Sequence, residues 1–574
     1  MKSSDVWKFI LAALFFIGLY TAIAYLQNNF AFNNFDYGKT NGFFMKWIAD
    51  PEFQSFIWKL LLLLPALVLL AFAFVQTSIR ISFPEKINEK IVVGTVMVIA
   101  TIILVLSTQF VFHETQVTDD ENTYDFQAQT LLAGRIVNPP PPVIKSFKNV
   151  FIINDGYCWV GKYTLGHPLI IAFGMLLGDR YIGIIAVSVL TLLLIYLIAL
   201  ELYGNKNFAL LTLCLGAVSP FFYLVSSSRL SHTTSTFFLS LFMYLFLRVR
   251  RIDDDKVKML LSLLAGISLG YAFNTRTLSA LGFALPFTVI VVKDAVKFSK
   301  KTVGIIFGMG MGFFVMFALT LWYNARVTGN PLQFPFHYYS PFETVGFGTY
   351  GHTPLLGVKN LLIALYRLNI SLLGIPISLL FAFVLFITSK DRRDYFLFAI
   401  LGSFAALYLF YYSPGVSDLG PVYYYEMIIP LLLLSARGIK FSLEFISQYS
   451  AHGKTIVATF LVVLCIAAWV TYVPEKIIHI SRLTNQIREP YELVKASNVH
   501  HAVVMIERLP YKGWVFGYKN TSPLLTDDVV YCLLTNKESN SAIAKYFYDR
   551  EIYVLHYDEA LNKSSLSLVN RSTL

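Results

Sequence analysis

Apolar runs of about 18 residues or more recur along most of this chain, and no other feature constrains its fold as strongly. Inside a hydrocarbon layer such a run satisfies its backbone only as a helix or as part of a closed barrel, and these runs are too long for barrel strands. We read about 13 spans, near 9–26, 56–76, 91–112, 181–203, 208–227, 233–248, 257–273, 278–292, 303–323, 371–388, 395–412, 422–436 and 456–473. Charged residues make up 14% of the chain, against about 25% in a soluble protein. The expected fold class is therefore an all-α polytopic membrane protein. The net charge of +11 does not indicate nucleic-acid binding, because the basic residues fall in short clusters between apolar runs, as membrane topology requires.

Lys and Arg concentrate in alternate connections: around Arg80, Lys86 and Lys90, between Arg248 and Lys258, between Lys293 and Lys301, and between Lys390 and Arg393. That side carries roughly 21 basic residues in about 70 positions, against about 11 in about 145 on the other, which makes the dense side cytoplasmic. Loops 113–167 and 324–370 and the tail 475–574 then share the outer side. Two N-terminal spans fill 1–90, a transmembrane module fills 91–474, and 475–574 is an outer C-terminal domain. Runs at 501–506, 528–534 and 552–556 predict strands and 541–550 a helix, so the tail is expected to be a small α/β cap. Segment 168–178 is too short to cross and predicts a re-entrant or interfacial piece. Lys2 and Lys8 before the first run, with Ala22-Ile23-Ala24 at its end, also fit a cleavable signal peptide. Cys158, Cys214, Cys465 and Cys532 show no metal-ligand spacing.

The first outer loop opens Thr118-Asp119-Asp120-Glu121-Asn122-Thr123-Tyr124. Three successive carboxylates at a bilayer boundary are not core packing. They sit in water, share a cation or take part in proton chemistry. Behind them, Tyr124, Ala128, Leu131 and Leu132 share one face at helical spacing, as in an interfacial helix. Asp120 lies near its N-terminus, where the dipole favours the ionised form; acids that merely cap a solvated helix fit the same spacing. The loop closes at Gly161-Lys162-Tyr163-Thr164-Leu165-Gly166-His167-Pro168, where Gly and Pro turn the backbone back. Headgroup contact is the plain role for Lys162, and a satisfied turn histidine the plain role for His167. Arg229 and Arg276 sit at outer span ends, against the positive-inside trend. A phosphate at the membrane surface would account for them through the guanidinium's planar fork; snorkelling would as well. The second outer loop, with Gly346-Phe347-Gly348 and Gly351-His352-Thr353-Pro354, suits contacts to sugars or lipid chains. Tyr423-Tyr424-Tyr425 also fits an interfacial aromatic belt.

Taken in order, these motifs resemble the GT-C membrane glycosyltransferases, which include the protein O-mannosyltransferases and the bacterial aminoarabinose transferases. Asp120-Glu121-Asn122-Thr123-Tyr124, with Gln127-Ala128 and Leu131-Leu132-Ala133-Gly134 behind it, resembles the family's first-loop motif. Lys162-Tyr163 and Gly166-His167-Pro168 look like its return to the membrane. Tyr323-Asn324, Thr328-Gly329-Asn330-Pro331, Gly420-Pro421, Tyr424-Tyr425 and Pro430 are similar to bacterial members. The resemblance implies a GT-C type fold in the plasma (inner) membrane. It implies transfer of a monosaccharide from a polyprenyl-phosphate-linked donor to a lipid, glycan or protein acceptor on the outer face, with inversion at the anomeric carbon. By motif position Asp120 corresponds to the base, with Glu121 beside it. Lys162, His167, Arg229 and Arg276 are the candidates for the donor phosphate. Asp119, Tyr124, His232, His352 and Tyr425 are the candidates for acceptor or sugar contacts. If a divalent cation (Mg or Mn) takes part, Asp119, Asp120 and Glu121 are its candidate ligands; no other cofactor is implied. Two spans precede the one that normally feeds the motif. Val422 stands where many relatives carry Arg, so one phosphate contact is missing or supplied elsewhere. The rival readings are a lipid-linked glycan transporter or flippase, and a glycan polymerase or ligase using a diphosphate-linked donor. A proton-coupled transporter would place ionisable groups in mid-span, whereas here they sit at span ends.

Overall fold

In the computed structural model, which describes residues 10–19, 57–76, 88–296, 300–449, 453–509, 515–558, 561 and 563–573, the apolar runs form a bundle of helices. Most of the expected run 9–26 beyond its middle, and the connection around Arg80 and Lys86, lie outside the described residues. Among the described residues six helices are long and apolar enough to cross a membrane: Glu89–Phe110, Arg180–Tyr203, Asp255–Thr275, Thr277–Ala295, Thr302–Thr328 and Thr455–Ala496. These helices do not confirm the expected count of about 13, and three of the expected runs are irregular for local reasons. The run 208–227 is two helices, Lys206–Val218 and Pro220–Ser226, bent by 59°. Pro220 cannot donate into the preceding helix, and the Ser219 hydroxyl instead caps the new one by accepting from Phe222 N at 3.3 Å. The run 371–388 is helical only over Leu380–Thr388, after a turn that contains Gly374 at φ +72°. The run 422–436 begins as a 3-10 segment, Val422–Met427, and continues as Ile428–Tyr449.

Helix ends follow capping rules. Asp179 accepts from Tyr181 N at 2.6 Å to start Arg180–Tyr203. Gly204, at φ +64°, ends that helix in the left-handed conformation a glycine adopts at least cost. Helices Asp255–Thr275 and Lys300–Thr328 approach so closely that a Cβ on Gly266 would lie 2.0 Å from the Met309 carbonyl oxygen. One on Gly312 would lie 2.1 Å from that of Leu263. Small residues at such seams let backbones pack where lipid supplies no hydrophobic drive.

Two sheets lie outside the bundle. Strands β1 (Ile152–Asn154) and β2 (Trp159–Gly161) form an antiparallel hairpin in the first outer loop. Asp155 closes its turn by accepting from Tyr157 N and Cys158 N. In the tail, β3 (Ala502–Ile506), β4 (Val529–Leu533), β5 (Glu551–Asp558) and β6 (Lys563–Leu568) are ordered β4-β3-β5-β6. β3 runs parallel to β4 and β5, and helix Lys537–Tyr546 makes the crossover from β4 to β5 that a parallel pair requires. The tail sheet packs on the loop: Phe126, Phe147, Ile152 and Trp159 share an apolar cluster with Val503, Met505, Val530 and Ile552. Cys158 and Cys532 are free thiols buried in different clusters.

We expect Gly266→Val to force apart the two helices it joins and to lower accumulation of the full-length protein at least severalfold. Gly310→Ala, where a Cβ meets nothing within 4 Å, leaves accumulation unchanged. Membrane-fraction immunoblots compare the two.

Candidate active site

The three acids begin one helix, Asp119–Leu132, and the structure gives them three different partners. Asp119 is buried, and its two oxygens accept from the tail amides Phe516 N at 2.9 Å and Gly517 N at 3.0 Å. Burial pushes its carboxyl up to about 6, although both amides favour the ionised form. Glu121 is fully buried. Its Oε1 accepts from Val117 N at 2.8 Å and Thr118 N at 3.2 Å, capping its own helix, and its Oε2 accepts from Arg229 N at 2.9 Å. Asp120 alone keeps open surface, and its Oδ1 accepts the hydroxyl of Tyr163. Burial and the charge of Asp120 push that phenol well above its ordinary value, which keeps it a donor.

Two backbone approaches fix this arrangement. A Cβ on Gly161 would lie 2.6 Å from Thr123, so β2 lies directly against the loop helix. A Cβ on Gly166 would lie 2.3 Å from the Thr275 hydroxyl, which brings the return of the loop against the end of helix Asp255–Thr275. Arg276 follows at that helix end.

Around Asp120 the rings and charges come from distant segments. Tyr124 donates to Ser231 Oγ at 3.0 Å, and Arg276 Nη1 donates to the same oxygen at 3.2 Å. The ring of Tyr124 lies 4.6 Å from that of Tyr163 and 4.8 Å from that of His167. Arg276 Nε lies 3.3 Å from Glu426 Oε1, and its guanidinium sits 5.0 Å from the Tyr423 ring centre. His232 Nδ1 lies 3.5 Å from Glu426. The charges of Asp120 and Arg276 both act on the hydroxyls of Tyr124 and Tyr423, so the acid and the guanidinium flank one polar layer.

Several expected residues serve the scaffold instead. Arg229, expected at the donor phosphate, is 1% exposed. It pairs with Asp125 at 3.2 Å, donates to the Glu114 carbonyl at 3.0 Å and donates to the Tyr181 hydroxyl. His167 is enclosed between the Arg229 carbonyl at 2.7 Å and Thr234 Oγ1 at 2.8 Å. Lys162 is buried in an ion pair with Glu343 at 2.6 Å and lies 3.7 Å from the Phe151 ring centre. His352 is buried against the Leu409 carbonyl at 2.9 Å. Tyr425 points into the core, 3.0 Å from Ser226 Oγ; of the three consecutive tyrosines, Tyr423 faces the polar layer. The expected cation set does not form, because Asp119, Asp120 and Glu121 diverge. Among the described residues no three His, Cys, Asp or Glu side chains cluster to hold a metal ion.

The sequence family described as dolichyl-phosphate-mannose-protein mannosyltransferase matches residues 163–323. The fold is similar to that of ArnT from Cupriavidus metallidurans bound to undecaprenyl phosphate, with a TM-score of 0.52, 11% identity, and coverage of 82% of this chain and 93% of that one. It is similar to the apo state of the same protein, with a TM-score of 0.52, 10% identity, and coverage of 84% of this chain and 98% of that one. The chain therefore shares the fold of ArnT, and the sequence-family match covers less than a third of its length. No curated protein matches it in sequence.

Four residues around the site were not singled out as site candidates by sequence reasoning: Tyr163, Glu343, Tyr423 and Glu426. Glu426 carried a usable signal, since a lone carboxylate entering an apolar run needs a cationic partner, and Arg276 is that partner. Tyr163 and Tyr423 lie among other tyrosines that spacing does not separate.

Arg229→Ala would leave Asp125 and the Tyr181 hydroxyl without their buried partner. Breaking a buried pair from one side costs about 3–5 kcal/mol. We expect loss of folded protein in detergent, read as an early elution shift and a lowered unfolding temperature, with no separable effect on use of the donor.

Proposed function

We propose that this chain is a GT-C type glycosyltransferase that moves a monosaccharide from a polyprenyl-phosphate-linked donor to a hydroxyl or amine of a lipid, glycan or protein acceptor. The reaction takes place on the outer face of the plasma membrane, with loops 113–167 and 324–370 and the tail on that side. One observation carries the reading: of three adjacent carboxylates only Asp120 remains open, and it shares a buried polar layer with a half-open arginine, Arg276. The ArnT of similar fold is bound to undecaprenyl phosphate, a carrier of the class proposed here. The density of Lys and Arg in alternate connections supports the orientation.

In this reading the acceptor's proton passes to Asp120 as the acceptor oxygen or nitrogen attacks the anomeric carbon. The bond from that carbon to the phosphate oxygen breaks, and the pair of electrons leaves on polyprenyl phosphate. That anion is stable, so no acid has to protonate it. Attack opposite the leaving group inverts the anomeric centre. Tyr163 holds one oxygen of Asp120 and leaves the other for the proton. Arg276, positioned by Ser231, Glu426 and Tyr423, meets the growing phosphate charge in a site that excludes water. The helices between them provide the apolar surface for the polyprenyl chain.

Asp120→Asn should lower turnover by about 10²–10⁴-fold, the usual share of a general base, while the protein accumulates and unfolds at the wild-type temperature. Mass analysis of cellular glycans and lipid-linked sugars, with and without the variant, measures this. Near wild-type product with Asp120→Asn, together with loss in Asp119→Asn, would move the base to Asp119; loss in neither would sink the transferase reading.

Arg276→Ala should raise the donor concentration for half-maximal transfer and lower the maximal rate, because a phosphate contact has gone. Unchanged donor saturation curves would leave Arg276 as a partner of Glu426 alone.

A further inference from the structure

Between the tail and the two outer loops lies a cavity of about 370 Å³ whose lining includes Lys148, Asn149, Tyr339, Glu507, Arg508 and Phe516. Two paths join it to the site. Its wall at Phe516 and Gly517 is the backbone whose amides hold Asp119, the residue next to the proposed base. On another side, the Tyr339 ring lies 6.1 Å from that of Phe151, and Phe151 lies 6.1 Å from Tyr163, whose hydroxyl rests on Asp120. The Tyr339 hydroxyl accepts from Phe151 N at 3.2 Å, which fixes that wall. Three rings in series, Tyr339, Phe151 and Tyr163, therefore lie between the cavity and Asp120.

Its chemistry favours an anion. Lys148 is exposed, and Arg508 adds a second positive charge to the lining. Among the described lining residues the carboxylate is Glu507, and it is turned to His556 at 3.0 Å. Tyr339 and Phe516, at 37% and 53% exposure, offer flat apolar faces. Flat rings beside hydrogen-bonding groups suit a sugar, whose ring carries C–H groups on its faces and hydroxyls on its rim.

We infer that this cavity receives the acceptor, and that the acceptor is an anionic glycan. Its sugar packs against Tyr339 and Phe516, and its phosphate or carboxylate lies against Lys148 and Arg508. This rests on the transferase reading above and adds the acceptor's class to it. The nucleophilic hydroxyl or amine then belongs to the next residue of the glycan, which reaches past Tyr339 to Asp120.

The test uses the full-length protein in lipid nanodiscs, with glucose 6-phosphate, glucuronic acid and glucose as probes in saturation-transfer NMR. Glucose 6-phosphate or glucuronic acid should bind at least tenfold more tightly than glucose. The preference should disappear in Lys148→Glu/Arg508→Glu and persist in Asp120→Asn. Preference for the phosphate or for the carboxylate identifies which anion the acceptor carries. In cells, the double variant should reduce the glycan product at least tenfold while decaprenyl phosphate still raises the unfolding temperature as in wild type. Equal binding of glucose and both anions, an unchanged double variant, or a cellular product without an anionic group overturns the assignment. If wild type and null cells have identical glycans, the transferase reading itself fails, whatever the binding data show.

Discussion

Arg229 is the residue on which the geometry of the site depends. Its guanidinium is buried against Asp125 and Tyr181, and its own backbone N–H is held by Glu121. An unpaired buried charge costs several kcal/mol, so the arginine and both acids are in place together or none is stable. That requirement joins the loop helix to the irregular stretch after Pro220–Ser226, which the break at Ser219 brings into the same layer. Arg180 closes the network from outside, 2.6 Å from Asp125. The tail adds a further tie through Asn122, which donates to the Tyr518 carbonyl at 2.7 Å and accepts from Asn520 N at 3.1 Å. The first turn of the loop helix is thus fixed from its own cap, from the bundle and from the tail.

Helical geometry explains why only one of three adjacent acids is open. Successive residues of an α-helix point about 100° apart, given 3.6 residues per turn. Side chains at i, i+1 and i+2 diverge, whereas a set converging on one ion from one helix needs i and i+3 or i+4. Asp119, Asp120 and Glu121 consequently face the tail, the polar layer and the bundle in turn. Glu121 and Asp125, four apart, do converge, and they converge on Arg229. The acidic cluster is one open carboxylate between two that are held by buried partners.

The helical membrane class and the acidic loop helix were legible in the sequence, because periodicity and span length are local properties. The helix expected from the spacing of Tyr124, Ala128, Leu131 and Leu132 begins at Asp119, because the acids are part of the helix rather than its approach. Pairings were not legible. Lys162 and Glu343 are 181 residues apart, and nothing in either neighbourhood announces the other. The two span-end arginines look alike in sequence. They differ only in surroundings: Arg229 has Asp125, Tyr181 and a closed shell, and Arg276 has Glu426 and an open side.

The difference between those arginines bears on how an anion can be accepted in a layer this dry. The Arg276 side chain is 18% exposed and that of Arg229 2%. Glu426, fully buried, keeps Arg276 charged and oriented, and leaves guanidinium donors on the side away from it. Lysine could not divide its contacts in this way, since an ammonium is a point charge without a planar fork. A neutral residue in place of Glu426 would leave Arg276 to be desolvated without compensation. The carboxylate therefore holds the guanidinium in place and still leaves it able to meet a second anion from the open side. On the proposed reading, that second anion is the phosphate of the donor.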